Sequence, residues 1–184
     1  MLYYSLGLHG FLLRKYANNR NFISISKDYN IIYTDFKDGQ CILDFGCKCI
    51  DDYNYSLKCS LNNTYKLMDI CNQYNMKYIF ASTYGVFDPK NTYDQVKTFQ
   101  EKIISSLDKY LIIRIPRVYD KSRNSGLMTF LRENSIYADK QLEYCTLDYF
   151  HEQFENILNL DVVGTVNFKT NRKDWISRIK RLYR

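Results

Sequence analysis

Short apolar runs alternate with stretches of helical period along this chain, and that alternation most narrows the folds open to it. Residues 2–6, 22–26, 31–34, 41–45, 77–82 and 110–115 read as strands. Residues 11–17 read as the start of a helix that Asn18 and Asn19 end, and 60–74 carries Leu61, Tyr65, Met68 and Cys71 near helical spacing. The clearest helix is 93–107, where Val96, Phe99, Ile103 and Leu107 form one apolar stripe. Strands alternating with helices call for an α/β fold, a doubly wound, mostly parallel sheet with helices on both faces. At 184 residues the chain fits a single domain better than two.

Composition removes several classes. An apolar fraction of 46% with 18 Tyr and 11 Phe excludes a disordered chain. No apolar run reaches transmembrane length, and the first residues lack the charged start of a signal peptide, so the expected location is cytoplasmic. The formal charge of +6 is mild and suits anionic small molecules. Only the end of the chain, with Arg172, Lys173, Arg178, Lys180, Arg181 and Arg184, is densely basic. A solvated terminal helix accounts for it better than a nucleic-acid contact. Cys41, Cys47, Cys49 and Cys59 lack the paired spacing of a zinc site and read as free thiols. His9 and His151 have no nucleophile nearby in sequence, and Asp51-Asp52 reads as a polar loop.

Two patterns carry chemistry. Gly7-Leu8-His9-Gly10 follows the first strand and precedes a helical pattern, a place where backbone N–H groups can approach a pyrophosphate. Tyr93 and Lys97 form a Tyr-x-x-x-Lys pair at the start of the clearest helix, one turn apart on one face. An ammonium beside a phenol favours the phenolate and prepares it for proton transfer. The spacing also occurs at Tyr33, but in a strand, where it puts no helical pair together.

These segments resemble the extended short-chain dehydrogenase/reductase superfamily, the NAD-dependent epimerases and dehydratases. The run Tyr78 to Phe87 is similar to its fourth strand, and the hydroxyl three residues before Val86-Phe87 is Thr83. Glu101 matches the family's acidic position after the lysine. The resemblance implies a Rossmann-like core over 1–120 and a reduced substrate-side region over 121–184. It implies a catalytic set of Thr83, Tyr93 and Lys97, with NAD or NADP as cofactor. Gly7, Gly10, Phe11 and Leu12 would lie along the pyrophosphate, Asp35 and Phe36 at the adenine, Phe45 and Gly46 at the ribose with Lys97, and Pro116 on the nicotinamide side.

Departures from the family pattern shape the expected activity. Leu13 stands at the third glycine position, 10–43 is short by at least one helix, and the loop between Thr83 and Tyr93 is brief. Dehydratases of the family carry Asp-Glu after the threonine, where this chain has Tyr84 and Gly85. The nearest likeness is to 4-keto-sugar reductases of the dTDP-rhamnose type. The implied function is a reductase or epimerase acting on a nucleotide-diphosphate sugar, with a homodimer through the helices of 60–74 and 93–107 as one expectation. The rival is a degenerate relative that keeps the fold as a binding or regulatory subunit.

Overall fold

The computed structural model describes residues 1–8, 10–27, 30–31, 35–46, 52–120, 141–158, 160–175 and 178. In chain order they form β1 (Tyr3–Leu6), a 3-10 helix (Arg14–Tyr16), β2 (Phe22–Ser24), a hairpin of β3 (Ser26–Lys27) and β4 (Asn30–Ile31), and β5 (Cys41–Asp44). Then come α1 (Tyr53–Gln73), β6 (Lys77–Thr83), a second 3-10 helix (Tyr84–Phe87), α2 (Thr92–Ile104) and β7 (Tyr110–Ile115). The rest is β8 (Val118–Tyr119), β9 (Gln141–Thr146), α3 (Leu147–Leu158), β10 (Gly164–Asn167) and β11 (Arg172–Trp175). Two compact units result, Met1–Arg114 with Val162–Val166, and Ile115–Asp161 with Asn167–Arg184.

The first unit holds a six-stranded sheet in the order β2–β1–β5–β6–β7–β10. The pairs β1–β2, β1–β5 and β5–β6 are parallel. This is the expected Rossmann-like α/β sheet. The chain runs outward from β1 to β2, then reverses to β5 and β6 on the other side. The switch between β1 and β5 is where open α/β sheets place their ligands. Tyr4, Ile42, Tyr78 and Phe80 are fully buried and pack with Leu67 and Met68 of α1 and Ile104 of α2 in one core. Each such side chain contributes roughly 1.5–3 kcal/mol by leaving water.

Asp52 caps α1 by accepting from the Tyr55 N–H at 3.0 Å. At the other end Asn75 takes the left-handed conformation, φ 50°, and the Met76 N–H donates to the Cys71 carbonyl at 2.8 Å, closing the helix. The helix therefore starts earlier than expected, and its inward face differs from the apolar stripe read in the sequence. Ser56, Ser60 and Thr64 are buried at four-residue steps, while Tyr65 is half exposed. On α2 the buried residues are Val96, Lys97, Gln100, Glu101 and Ile104, and Phe99 faces out. Small side chains on α1 let α2 approach closely, and that approach encloses polar groups.

The helix expected at 11–17 is absent. Instead, Gly10, Leu13, Tyr16, Asn19 and Phe22 each donate a backbone N–H to the carbonyl three residues before, a chain of tight turns. Only seven residues separate Gly10 from Asn18, too few to repay the cost of nucleating an α-helix. Three-residue turns eclipse positions three apart, so Leu13 and Tyr16 are buried together. Among the described residues no α-helix lies between Gly10 and Leu43, so the stretch is short of the expected helix at 11–17 as well as of the one its brevity already ruled out.

In the second unit, β9 pairs antiparallel with β11 and parallel with β8. Phe150 and Phe154 of α3 stack at 5.7 Å, and Phe168 lies 5.7 Å from Phe150. His151 is buried beside Phe150. The terminal basic stretch does not begin as a helix: Arg172 to Trp175 is a strand held by β9, and Lys173 pairs with Glu143 at 3.0 Å. Residues 9, 33, 34, 47, 49, 51, 176, 179, 180, 181, 182 and 184, which also entered the sequence reading, lie outside the described residues.

Candidate active site

The site begins where β1 and β5 end side by side. Gly7 follows β1 with φ +84°, and a Cβ there would come within 2.9 Å of the Phe45 carbonyl. A Cβ on Gly10 would lie 2.9 Å from the Gly7 carbonyl oxygen, and one on Gly46 would run into the Leu6 side chain at 2.6 Å. The glycines thus let two strand ends meet backbone to backbone. Gly10 is exposed, and Gly7, Phe11, Leu12, Phe45 and Gly46 are half-buried, while Leu8 and Leu13 plug the core beneath.

Asp35 is exposed, and its carbonyl accepts from the Tyr4 hydroxyl at 3.0 Å. Phe36 is a core residue, edge-on to Tyr4 at 4.9 Å and tilted on Tyr74 at 5.7 Å. Pro116 is buried in the second unit.

Thr83 ends β6, and its hydroxyl oxygen accepts from the Gly85 N–H at 3.2 Å. Asn91 caps α2 by accepting from the Asp94 N–H at 2.9 Å, and its amide donates to the Asp94 carboxylate at 2.7 Å. That carboxylate fills the space a Cβ on Gly85 would need. Tyr93, one residue into the helix, is 38% exposed. Lys97 is 1% exposed, donates to the Ala81 carbonyl at 2.7 Å, and lies 4.2 Å from the Phe80 ring centre and 5.8 Å from that of Tyr93. Tyr93 and Lys97 are therefore brought together at the end of β6 that carries Thr83.

Two further groups lie around this set: Glu101, noted in the sequence only by its position after the lysine, and Asp44, which the sequence reading left without a role. Glu101 accepts from the Ser82 hydroxyl at 2.5 Å and takes Arg114 in a fork, with Nη2 at 2.7 Å and Nε at 3.1 and 3.2 Å from its two oxygens. Arg114 also lies 4.8 Å over the Phe87 ring. This ties α2 to β6 and β7 on either side. Deeper in, Asp44 accepts from the Tyr78 hydroxyl at 2.7 Å and from the Gly46 N–H at 3.1 Å. Its visible signal was a carboxylate closing an otherwise apolar strand, Cys41-Ile42-Leu43-Asp44.

No protein-family model and no curated protein sequence matches the chain. Solved structures do. The chain superposes over its full length on UDP-glucose 4-epimerase from Thermotoga maritima, with a TM-score of 0.75, 15% identity and 81% of that chain covered. It likewise covers 80% of dTDP-4-dehydrorhamnose reductase from Bacillus anthracis in complex with NADP, with a TM-score of 0.69 and 12% identity. Against an NAD-dependent NDP-hexosamine 5,6-dehydratase of tunicamycin biosynthesis the TM-score is 0.78 and the identity 11%, covering 99% of this chain and 80% of that one. The chain shares the fold of these three enzymes. That shared fold is the Rossmann-like α/β fold expected from the sequence. It also puts the meeting of β1 and β5 in the position that open α/β sheets use for ligands.

Proposed function

We propose that the chain is an NAD(P)-dependent reductase or epimerase of a nucleotide-diphosphate 4-keto sugar, working through Thr83, Tyr93 and Lys97. The observation that carries this is the buried Lys97 beside the Tyr93 ring at the carboxyl end of β6. The residues at the switch point fit a dinucleotide. Gly7 and Gly10 leave a backbone-lined edge in which a Cβ would collide, a Cβ on Gly46 would strike the Leu6 side chain, and Phe45 and Gly46 would flank the ribose. Arg14 and Lys15, both exposed in the 3-10 helix that follows the glycine turn, would be the charges to offer a pyrophosphate where an α-helix would have lent its dipole. When bound, the nicotinamide supplies or accepts hydride.

The remaining chemistry belongs to the chain. The Tyr93 hydroxyl gives a proton to the developing alkoxide in the reducing direction and takes it back in the oxidising one. The Thr83 hydroxyl donates a hydrogen bond to the same oxygen. Lys97 holds positive charge beside the phenol, which favours its ionised form. Tyr84 and Gly85 place no carboxylate of their own after Thr83, and reduction or epimerisation is therefore favoured over dehydration. We place the protein in the cytoplasm on the same reading.

Tyr93→Phe tests the mechanism. It removes only the transferable proton, so turnover of a dTDP-4-keto sugar should fall roughly a hundred-fold or more while cofactor binding and folding persist. Unchanged turnover ends the catalytic reading. A second reading, a binding or regulatory subunit, is favoured by the missing first α-helix; it predicts cofactor or nucleotide-sugar binding in calorimetry with no turnover at all.

A further inference from the structure

Lys97 is 1% exposed, and a nearby anion stabilises a buried ammonium. We propose that Asp44 is the counter-ion of Lys97, a positioning residue that keeps the lysine charged and through it sets the acidity of Tyr93. The parallel register pairs Asp44 with Phe80, so both side chains leave the same face of the sheet. Lys97 lies on that face, over the Phe80 ring.

The groups around Asp44 and Lys97 have partners of their own or are neutral. Glu101, one turn along α2, is engaged by the Arg114 fork. Tyr78 from β6 donates its proton to Asp44, and burial with the Asp44 charge pushes its phenol far above the usual range, so it stays neutral. Burial likewise raises the Cys71 thiol of α1. Gln100 and Thr64 are neutral and bond each other at 2.9 Å. Burial pushes the Asp44 carboxyl up, and the Lys97 charge, then the Tyr78 hydroxyl and the Gly46 N–H, act against that. The same carboxylate holds the Gly46 N–H at the β1–β5 switch point, so one side chain joins the catalytic lysine to the cofactor edge.

The link to catalysis rests on the function proposed above; the charge pairing does not, and the experiment separates them. In the full chain labelled with 13C-lysine, the Lys97 signal is assigned by its loss in Lys97→Met and followed against pH. Asp44→Asn should lower its titration midpoint by about one to three pH units. Should Asp44→Asn fail to fold, 13C-aspartate labelling gives the reciprocal measurement, in which Lys97→Met raises the Asp44 midpoint. Unmoved midpoints overturn the proposal. With turnover as readout, Asp44→Asn should cost tenfold or more in the wild type and nothing further on Lys97→Met, because it acts through the lysine. Additive losses would refute that route. If the wild type turns over no sugar, the function fails while the titrations still decide Asp44.

Discussion

Single atoms decide how the glycine turn behaves. A Cβ on Gly10 has no room beside the Gly7 carbonyl, which also accepts the Gly10 N–H at 2.9 Å. Gly10→Val should therefore open the turn and abolish NAD(P)H binding in calorimetry. Cys145 offers a second test. Burial pushes its thiol up to about 11, and its Sγ donates to the Thr146 carbonyl. Native protein at pH 8 should leave Cys145 unmodified by a thiol reagent, read by mass spectrometry, and expose it on unfolding. Its folded pKa exceeds the unfolded one, so its contribution to stability is complete below about pH 9 and fades as pH climbs towards 11. At this scale the sequence was legible as far as placement goes: Tyr93 and Lys97 stand one turn apart at the end of β6 that carries Thr83, and the glycines line the β1–β5 turn, while their roles stay proposals. Phe36 could not be told from a ligand contact, because an aromatic after an aspartate looks the same whether it meets adenine or Tyr4. Asp44 stayed hidden because its meaning depends on a strand pairing with residues far along the chain.

Elements were legible in kind and less so in orientation. Strands at 77–82 and 110–115 and the helix at 93–107 stand close to their expected bounds. The faces of α1 and α2 were misjudged because a 3.6-residue pattern assumes that apolar side chains face in. Here Lys97, Gln100 and Glu101 occupy the interior of α2. The Glu101 fork is one of the contacts that tie that helix to the sheet. Glu101→Gln keeps the shape but leaves Arg114 without its charge partner, and Arg114 is partly open to water. A loss of about 1–3 kcal/mol is expected, which for a domain of this size lowers Tm by several degrees in a thermal melt. An unchanged melt would mean that Ser82 and Phe87 hold Arg114 and α2 without the charge. The 11–17 segment failed as a helix for want of length, a limit that residue types alone do not show.

For the whole molecule, Phe99 and Tyr65, 45% and 50% exposed on neighbouring helices, are the residues through which the proposed homodimer would meet. Light scattering should give about twice 22.1 kDa, and the pair Phe99→Lys and Tyr65→Lys should return the monomer; a wild type that is monomeric at every concentration removes the dimer. The basic ending, taken from sequence as a helix, starts as a strand because Arg172–Trp175 completes the edge beside β9. Periodicity could not foresee this, since alternation in four residues is too short to read. The close fit of Gly7 against Phe45 has a further consequence for how the chain is made. Its first strand emerges from the ribosome well before β5, the partner on which its glycine turn rests, and β5 in turn leans on β6. The earliest lasting structure is therefore expected to be β5, α1 and β6, a neighbouring trio in sequence, with the amino-terminal strand waiting to be threaded onto its edge.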